Sequence, residues 1–180
     1  MKSLVAPIIC AVVYAVVFSC AQAEEISIEN RERLTRQEKS GLRHYERGNY
    51  AEAFESLSAT AVRGMKRSQF YLAYMFFKGQ HVEQSVLLGM GWLGVAIESG
   101  EPEWIELYQS LYQRIPPEQH ALIDAKVAQY VEKYGMVTQH VSCSRRPAAG
   151  SRRIESLCVK AIDKSYPIHP VETRPNQGAP

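Results

Sequence analysis

Two neighbouring runs decide how this chain is read. The first is Phe70-Tyr71-Leu72-Ala73-Tyr74-Met75-Phe76-Phe77-Lys78-Gly79, and the second is Val86-Leu87-Leu88-Gly89-Met90-Gly91-Trp92-Leu93-Gly94-Val95-Ala96. Neither shows the strict alternation of a strand. Each has the length of a short helix and is followed by a glycine, Gly79 or Gly100, able to take the left-handed conformation that ends one. Working outward, helical segments are expected at about 30–47, 50–63, 67–78, 84–98, 102–114 and 117–134, broken at Gly48, Gly64, Gly79, Gly100 and Pro116. Trp104, Leu107, Tyr108, Leu111 and Tyr112 form one amphipathic stripe, and Ile123, Val127, Tyr130 and Tyr134 another. Pro102 and Pro117 suit first turns, where a missing N–H costs nothing. Gly135 is expected to be a left-handed stop. Strand signals are almost missing after Glu24.

Gly64 and Gly100 lie 36 residues apart, each closing a helix that carries alanine just before it, Ala61 or Ala96. A period of roughly 30–40 residues built from two short helices marks an α-solenoid. The run Leu72-Ala73, Met75-Phe76, Gly79 and Val82, with Trp92, Ala96 and Gly100 after it, resembles the Sel-one-like repeat, a relative of the tetratricopeptide repeat. Ala73 stands where that pattern has Gly, Phe76 where it has Tyr, Gly89 for the first Ala, and Ile97 for the second Ala of the Ala-Ala pair. The match is closest over 68–100, weaker over 41–64, and divergent over 101–134. It implies an all-α fold: a short right-handed α-solenoid of about three helix pairs over residues 24–138. One helix pair cannot bury its own apolar face, so three stacked pairs agree with that reading. Phe76, Trp92 and Tyr112 are read as packing residues.

The ends of the chain follow different rules. Lys2 precedes an uncharged apolar run to Phe18, then Ala21-Gln22-Ala23 and Glu24-Glu25. The run is too short for the roughly 20 residues of a membrane span and fits a signal peptide over 1–23. Export to a bacterial periplasm is expected, with lipid attachment at Cys20 as the alternative. The 180-residue chain is 22% charged and 46% hydrophobic. Loss of Lys2 leaves 20 basic residues against 19 acidic, too balanced for a dedicated nucleic-acid binder. Past the leader no run is apolar for 18 residues, so a soluble product, expected as a monomer, follows.

Only Cys143 and Cys158 remain beyond the leader. In an oxidising compartment a disulfide is expected, closing a basic segment over 139–165. A metal site of His140, Cys143, Cys158 and His169 is the alternative, although its second half lacks a zinc-site spacing. The segment carries Arg145, Arg146, Arg152 and Arg153, a basic patch suited to weak contact with anionic surfaces. Residues 166–180, with four prolines, are expected to be a disordered tail.

The five histidines are scattered, and no nucleophile motif, phosphate loop or dinucleotide fingerprint occurs. A non-catalytic protein-interaction scaffold without cofactor or metal is therefore expected, with a small envelope hydrolase or accessory protein as the alternative. In tetratricopeptide-like folds the first helix of each pair lines a concave groove. By that resemblance the partner-binding set is Arg43, Glu46 and Arg47, then Phe70, Tyr74, Phe77 and Lys78, then Glu106, Ser110, Gln113 and Arg114. The expected ligand is a peptide or protein segment of the envelope. A segment of this chain, from 30–40 or from beyond Gly135, is the other candidate occupant.

Overall fold

The structure, a computed structural model, describes residues 30–147, 150, 154–161 and 164–174. The expected signal peptide (1–23) with Cys20, and Arg152, Arg153 and residues 175–180, lie outside the described residues. Among the described residues six helices follow one another: α1 (30–46), α2 (Tyr50–Ala61), α3 (Lys66–Lys78), α4 (Val86–Ala96), α5 (Pro102–Tyr112) and α6 (Pro117–Tyr134). A 3-10 turn, Ile97–Ser99, extends α4. Gly48, Gly64, Gly79 and Gly100 all have positive φ, as their placement after helices requires. Pro102 and Pro117 occupy first turns. The Ser85 hydroxyl caps α4 by accepting the Leu88 N–H at 3.2 Å.

Helix α4 organises the molecule. Leu88 through Ala96 are all buried, so beyond its first two residues this helix has no solvent face. It packs against α3 on one side and α6 on the other. Close approach depends on its glycines. A methyl group on Gly89 would stand 2.4 Å from the Phe77 ring, one on Gly91 2.8 Å from Tyr130, and one on Gly94 2.6 Å from Val127. Between these contacts the Trp92 ring stacks on Tyr134 at 4.6 Å and meets Tyr130 edge-on at 5.1 Å. Leu57, Leu72, Met75 and Phe76 complete the core.

Several expectations need correction. Helix α5 has no fully buried residue, so its apolar stripe is only half covered. Its tyrosines instead meet α6 at one end, where Tyr112 donates to Asp124 at 3.0 Å. Gly135 is not left-handed: its φ is −71° and ψ 172°. Glycine is needed there for space, because a methyl group would lie 2.3 Å from the Val131 carbonyl oxygen.

The fold is also not wholly helical. Strands β1 (Val141–Pro147) and β2 (Ile154–Lys160) form an antiparallel hairpin with Cys143 opposite Cys158. These cysteines are joined by a disulfide 15 residues apart in sequence. A loop of that length is worth about 3 kcal/mol in the chain-entropy account. A two-stranded ribbon with mostly exposed side chains buries little, which is why it left no alternation to read.

The tail is the third correction. Residues 166–173 have no regular structure but lie against α6. Tyr134 donates its hydroxyl to the Pro170 carbonyl at 2.8 Å, and Gln139 donates to the Pro167 carbonyl at 3.0 Å. Glu172 is buried and accepts from Lys126 Nζ at 3.0 Å and from the Tyr130 hydroxyl at 3.3 Å. Burial, then the Glu172 charge, pushes the Tyr134 phenol up to about 12. Proline-rich composition suggested disorder, but a buried glutamate facing two lysines of α6 fixes this stretch.

Candidate functional site

A recess of about 670 Å³ lies where α1, the start of α3, the start of α5 and strand β2 converge. Chain geometry explains the convergence. The turns at Gly64 and Gly100 both deliver a helix whose first residues face the hairpin. The hairpin is held there by the Ser156 N–H, which donates to Glu101 Oε2 at 3.2 Å.

One wall is aromatic. The Phe70 and Trp104 rings stack at 4.4 Å with a 14° interplanar angle, and Tyr71 meets Phe70 edge-on at 5.7 Å. All three rings are half-buried. The opposite wall is β2. Since Ser156 donates away from β1, the backbone N–H of Cys158, two residues on, points the same way. The 4.0 Å Cα separation of Cys143 and Cys158 agrees with a non-hydrogen-bonded pair, whose backbone groups face outward. The recess is therefore bounded by rings on one side and by the outer edge of β2 on the other, where the Ser156 N–H is taken by Glu101 and the Cys158 N–H faces the recess side.

Charges surround it unevenly. Glu38 on α1 is buried and accepts from the Ser68 N–H at 3.1 Å and the Ser68 hydroxyl at 3.0 Å. Burial raises its carboxyl above the usual range, against the lowering effect of the Ser68 bonds. At the start of α5 burial also pushes Glu101 up. Bonding with Glu103 and Ser156 and the charge of Arg145 outweigh that and hold Glu101 low. Lys66 is buried at the base, donating to the Val95 carbonyl at 2.9 Å and to Glu98 at 2.8 Å. Lys39 and Arg67 stand exposed at the rim.

Glu38 carries a signed consequence. Its folded-state pKa lies above the ordinary carboxyl value of 4.5, so the unfolded chain releases this proton first as pH rises. Stability should then fall from pH 4.5 through the folded value. Glu38→Gln has no proton to lose. Its stability relative to the unsubstituted chain is expected to rise from pH 4.5 upward and then level off. A difference that shrinks over this range in urea titrations would mean the carboxyl is depressed.

The structure distributes the expected groove residues unequally. Phe70 lines the recess, and Tyr74 stands next to it, ring to ring at 5.1 Å. Phe77 is instead seated over Gly89 and bridges the two buried clusters. Arg43, Glu46, Arg47, Lys78, Glu106, Gln113 and Arg114 are exposed, Ser110 is half-exposed, and none of them lines the recess. Arg145 and Arg146 are exposed on β1.

Sequence reasoning missed Trp104, Tyr71, Glu38 and the β2 edge. Trp104 was placed in a packing stripe, although its position in the first turn of α5 beside Glu101 and Glu103 already set it apart. No helix among the described residues is long and apolar enough to cross a membrane. No cluster of three or more metal-ligating side chains occurs among them. The chain matches no protein-family model, and comparisons with curated proteins and with solved structures likewise find no match.

Proposed function

We propose that this chain is a non-catalytic scaffold of the bacterial envelope, exported to the periplasm, that captures an extended peptide segment of another protein. The ligand lies between the α3–α5 aromatic wall and the outer edge of β2. In this reading the helices are three pairs of a short Sel-one-like solenoid, with α1, α3 and α5 as the groove-lining members. The 36-residue step between left-handed Gly64 and Gly100 supports that assignment. Arg145 and Arg146, outside the groove, add weak attraction to anionic surfaces.

One observation carries the proposal: half-exposed Phe70 and Trp104 rings share a recess of about 670 Å³ with the outer edge of β2, of which only the Ser156 N–H is engaged, by Glu101. An added strand gains main-chain hydrogen bonds from such an edge and specificity from side-chain pockets beside it. Aromatic anchors of this kind dominate binding energy. The hairpin, which follows Gly135, bounds one end of the recess and does not fill it.

The test is selection of displayed random peptides on the full chain, followed by affinity measurement with Trp104→Ala. Loss of the ring is expected to weaken selected peptides by about 2 kcal/mol, roughly thirtyfold. The melting temperature should move little, because the ring is half-exposed. Phe77→Ala is unsuited to this purpose, since its ring fills space over Gly89. Peptides that bind equally well without Trp104, or no enrichment at all, would defeat the proposal.

A further inference from the structure

A second recess, about 270 Å³, lies apart from the groove, between the described start of α1, the turn after α2 and the chain leaving β2. Its wall carries Arg31, Arg33, Arg63, Lys160 and Lys164 and no described carboxylate. None of these five cations forms an ion pair among the described residues. Arg33 turns to the Asn30 side-chain oxygen at 3.2 Å, and Arg63 to the Ala59 carbonyl. The nearest acid on α1, Glu32, is taken by Arg36 on the exposed side. Asp163, between Ala161 and Lys164, lies outside the described residues.

Lys160 is the informative member. It is only 7% exposed, yet no carboxylate among the described residues compensates it. Its ammonium donates to the Gln139 carbonyl at 2.6 Å and sits 3.3 Å from the centre of the Tyr166 ring. Burial, and then the Arg63 charge, lowers it to about 8. Gathering like charges around a concavity is unfavourable unless an anion joins them. Five cations exceed what one carboxylate would balance. A phosphate monoester brings close to two charges and three strong acceptor oxygens, and guanidinium forks match that geometry. Leu34 and Tyr166 give the same recess an apolar side.

We propose that this recess binds a phosphate group, as phosphate or a phosphate monoester, between the cations of α1, Arg63 and the segment after β2. The site is independent of the peptide groove. Its organic substituent lies against Leu34 and Tyr166.

The full chain is titrated with inorganic phosphate and with pyrophosphate against chloride at constant ionic strength, read by calorimetry and thermal shift. Saturable binding is expected. Arg33→Gln with Lys164→Gln, both exposed positions, should keep the melting temperature in chloride and weaken binding roughly tenfold or more. Arg145→Gln with Arg146→Gln removes the same charge from the hairpin and should leave binding intact. Sedimentation with phosphatidylcholine vesicles, with and without phosphatidic acid, separates the sources. Capture by phosphatidic acid that pyrophosphate reverses and the recess variant loses assigns a lipid headgroup. Phosphate binding without vesicle capture assigns a soluble ligand. No saturable binding of either anion, or an equal loss in both double variants, overturns the proposal.

Discussion

Replacing Glu98 by alanine is expected to destabilise the chain by about 3–5 kcal/mol, the range for removing one partner of a buried ion pair. Lys66 has a side chain only 3% exposed, and Glu98 Oε2 lies 2.8 Å from its ammonium. The same oxygen accepts the Met136 N–H at 3.0 Å, so one carboxylate ties α3, the end of α4 and the turn after α6. Without it, the ammonium keeps only the Val95 carbonyl as a partner among the described residues. Burial already depresses the Lys66 pKa, and Glu98 opposes that shift. Adding Lys66→Met to Glu98→Ala should recover much of the loss, because the stranded charge is gone. Urea unfolding of the two variants decides it. A single variant costing under about 1 kcal/mol would place this pair among weak surface contacts.

Trp92→Ala is expected to cost a similar amount, about 3–5 kcal/mol, for a different reason. The ring is wholly buried between α4 and α6, on Tyr134 and Tyr130. Its Nε1 has no hydrogen-bond partner among the described residues, so the loss is one of packing, not of a polar contact. Trp92→Phe should therefore lose well under half as much, since it leaves a smaller void and no stranded polar atom. The two variants are compared by denaturant unfolding followed through Trp104, the other tryptophan of the chain. Equal losses for Phe and Ala would mean that the indole nitrogen matters and the packing account is wrong.

These two positions also mark what could be read beforehand. Trp92 sits in a run whose glycines recur at Gly89, Gly91 and Gly94, and helix period, small residues and one large ring identify a buried crossing without any tertiary knowledge. The Cys143–Cys158 bridge was legible for a comparable reason: with residues 1–23 read as an export leader, two remaining thiols leave few options. Lys66 and Glu98, 32 residues apart, carry no local mark of their meeting. Nor does Glu38, whose partner Ser68 is 30 residues away. The hairpin and the tail failed to register because both lie on the helices without a periodic apolar face of their own. The groove set was half legible. A face could be named from helical phase, but which end of that face opens into a recess depends on where β2 lands.

The docked segment at 167–172 has a consequence for the order of assembly. Its bonds reach back 28 residues to Gln139, 36 to Tyr134, 42 to Tyr130 and 46 to Lys126. A polypeptide delivered amino end first, from a ribosome or through a translocation pore, presents α6 complete before any of these partners exist. Until Glu172 arrives, Lys126 and Lys133 lack their carboxylate and the Tyr134 hydroxyl lacks its carbonyl acceptor. The last turns of α6 are thus held by residues made after them, and the outer layer closes like a clasp, only once the chain has been released as far as Glu172.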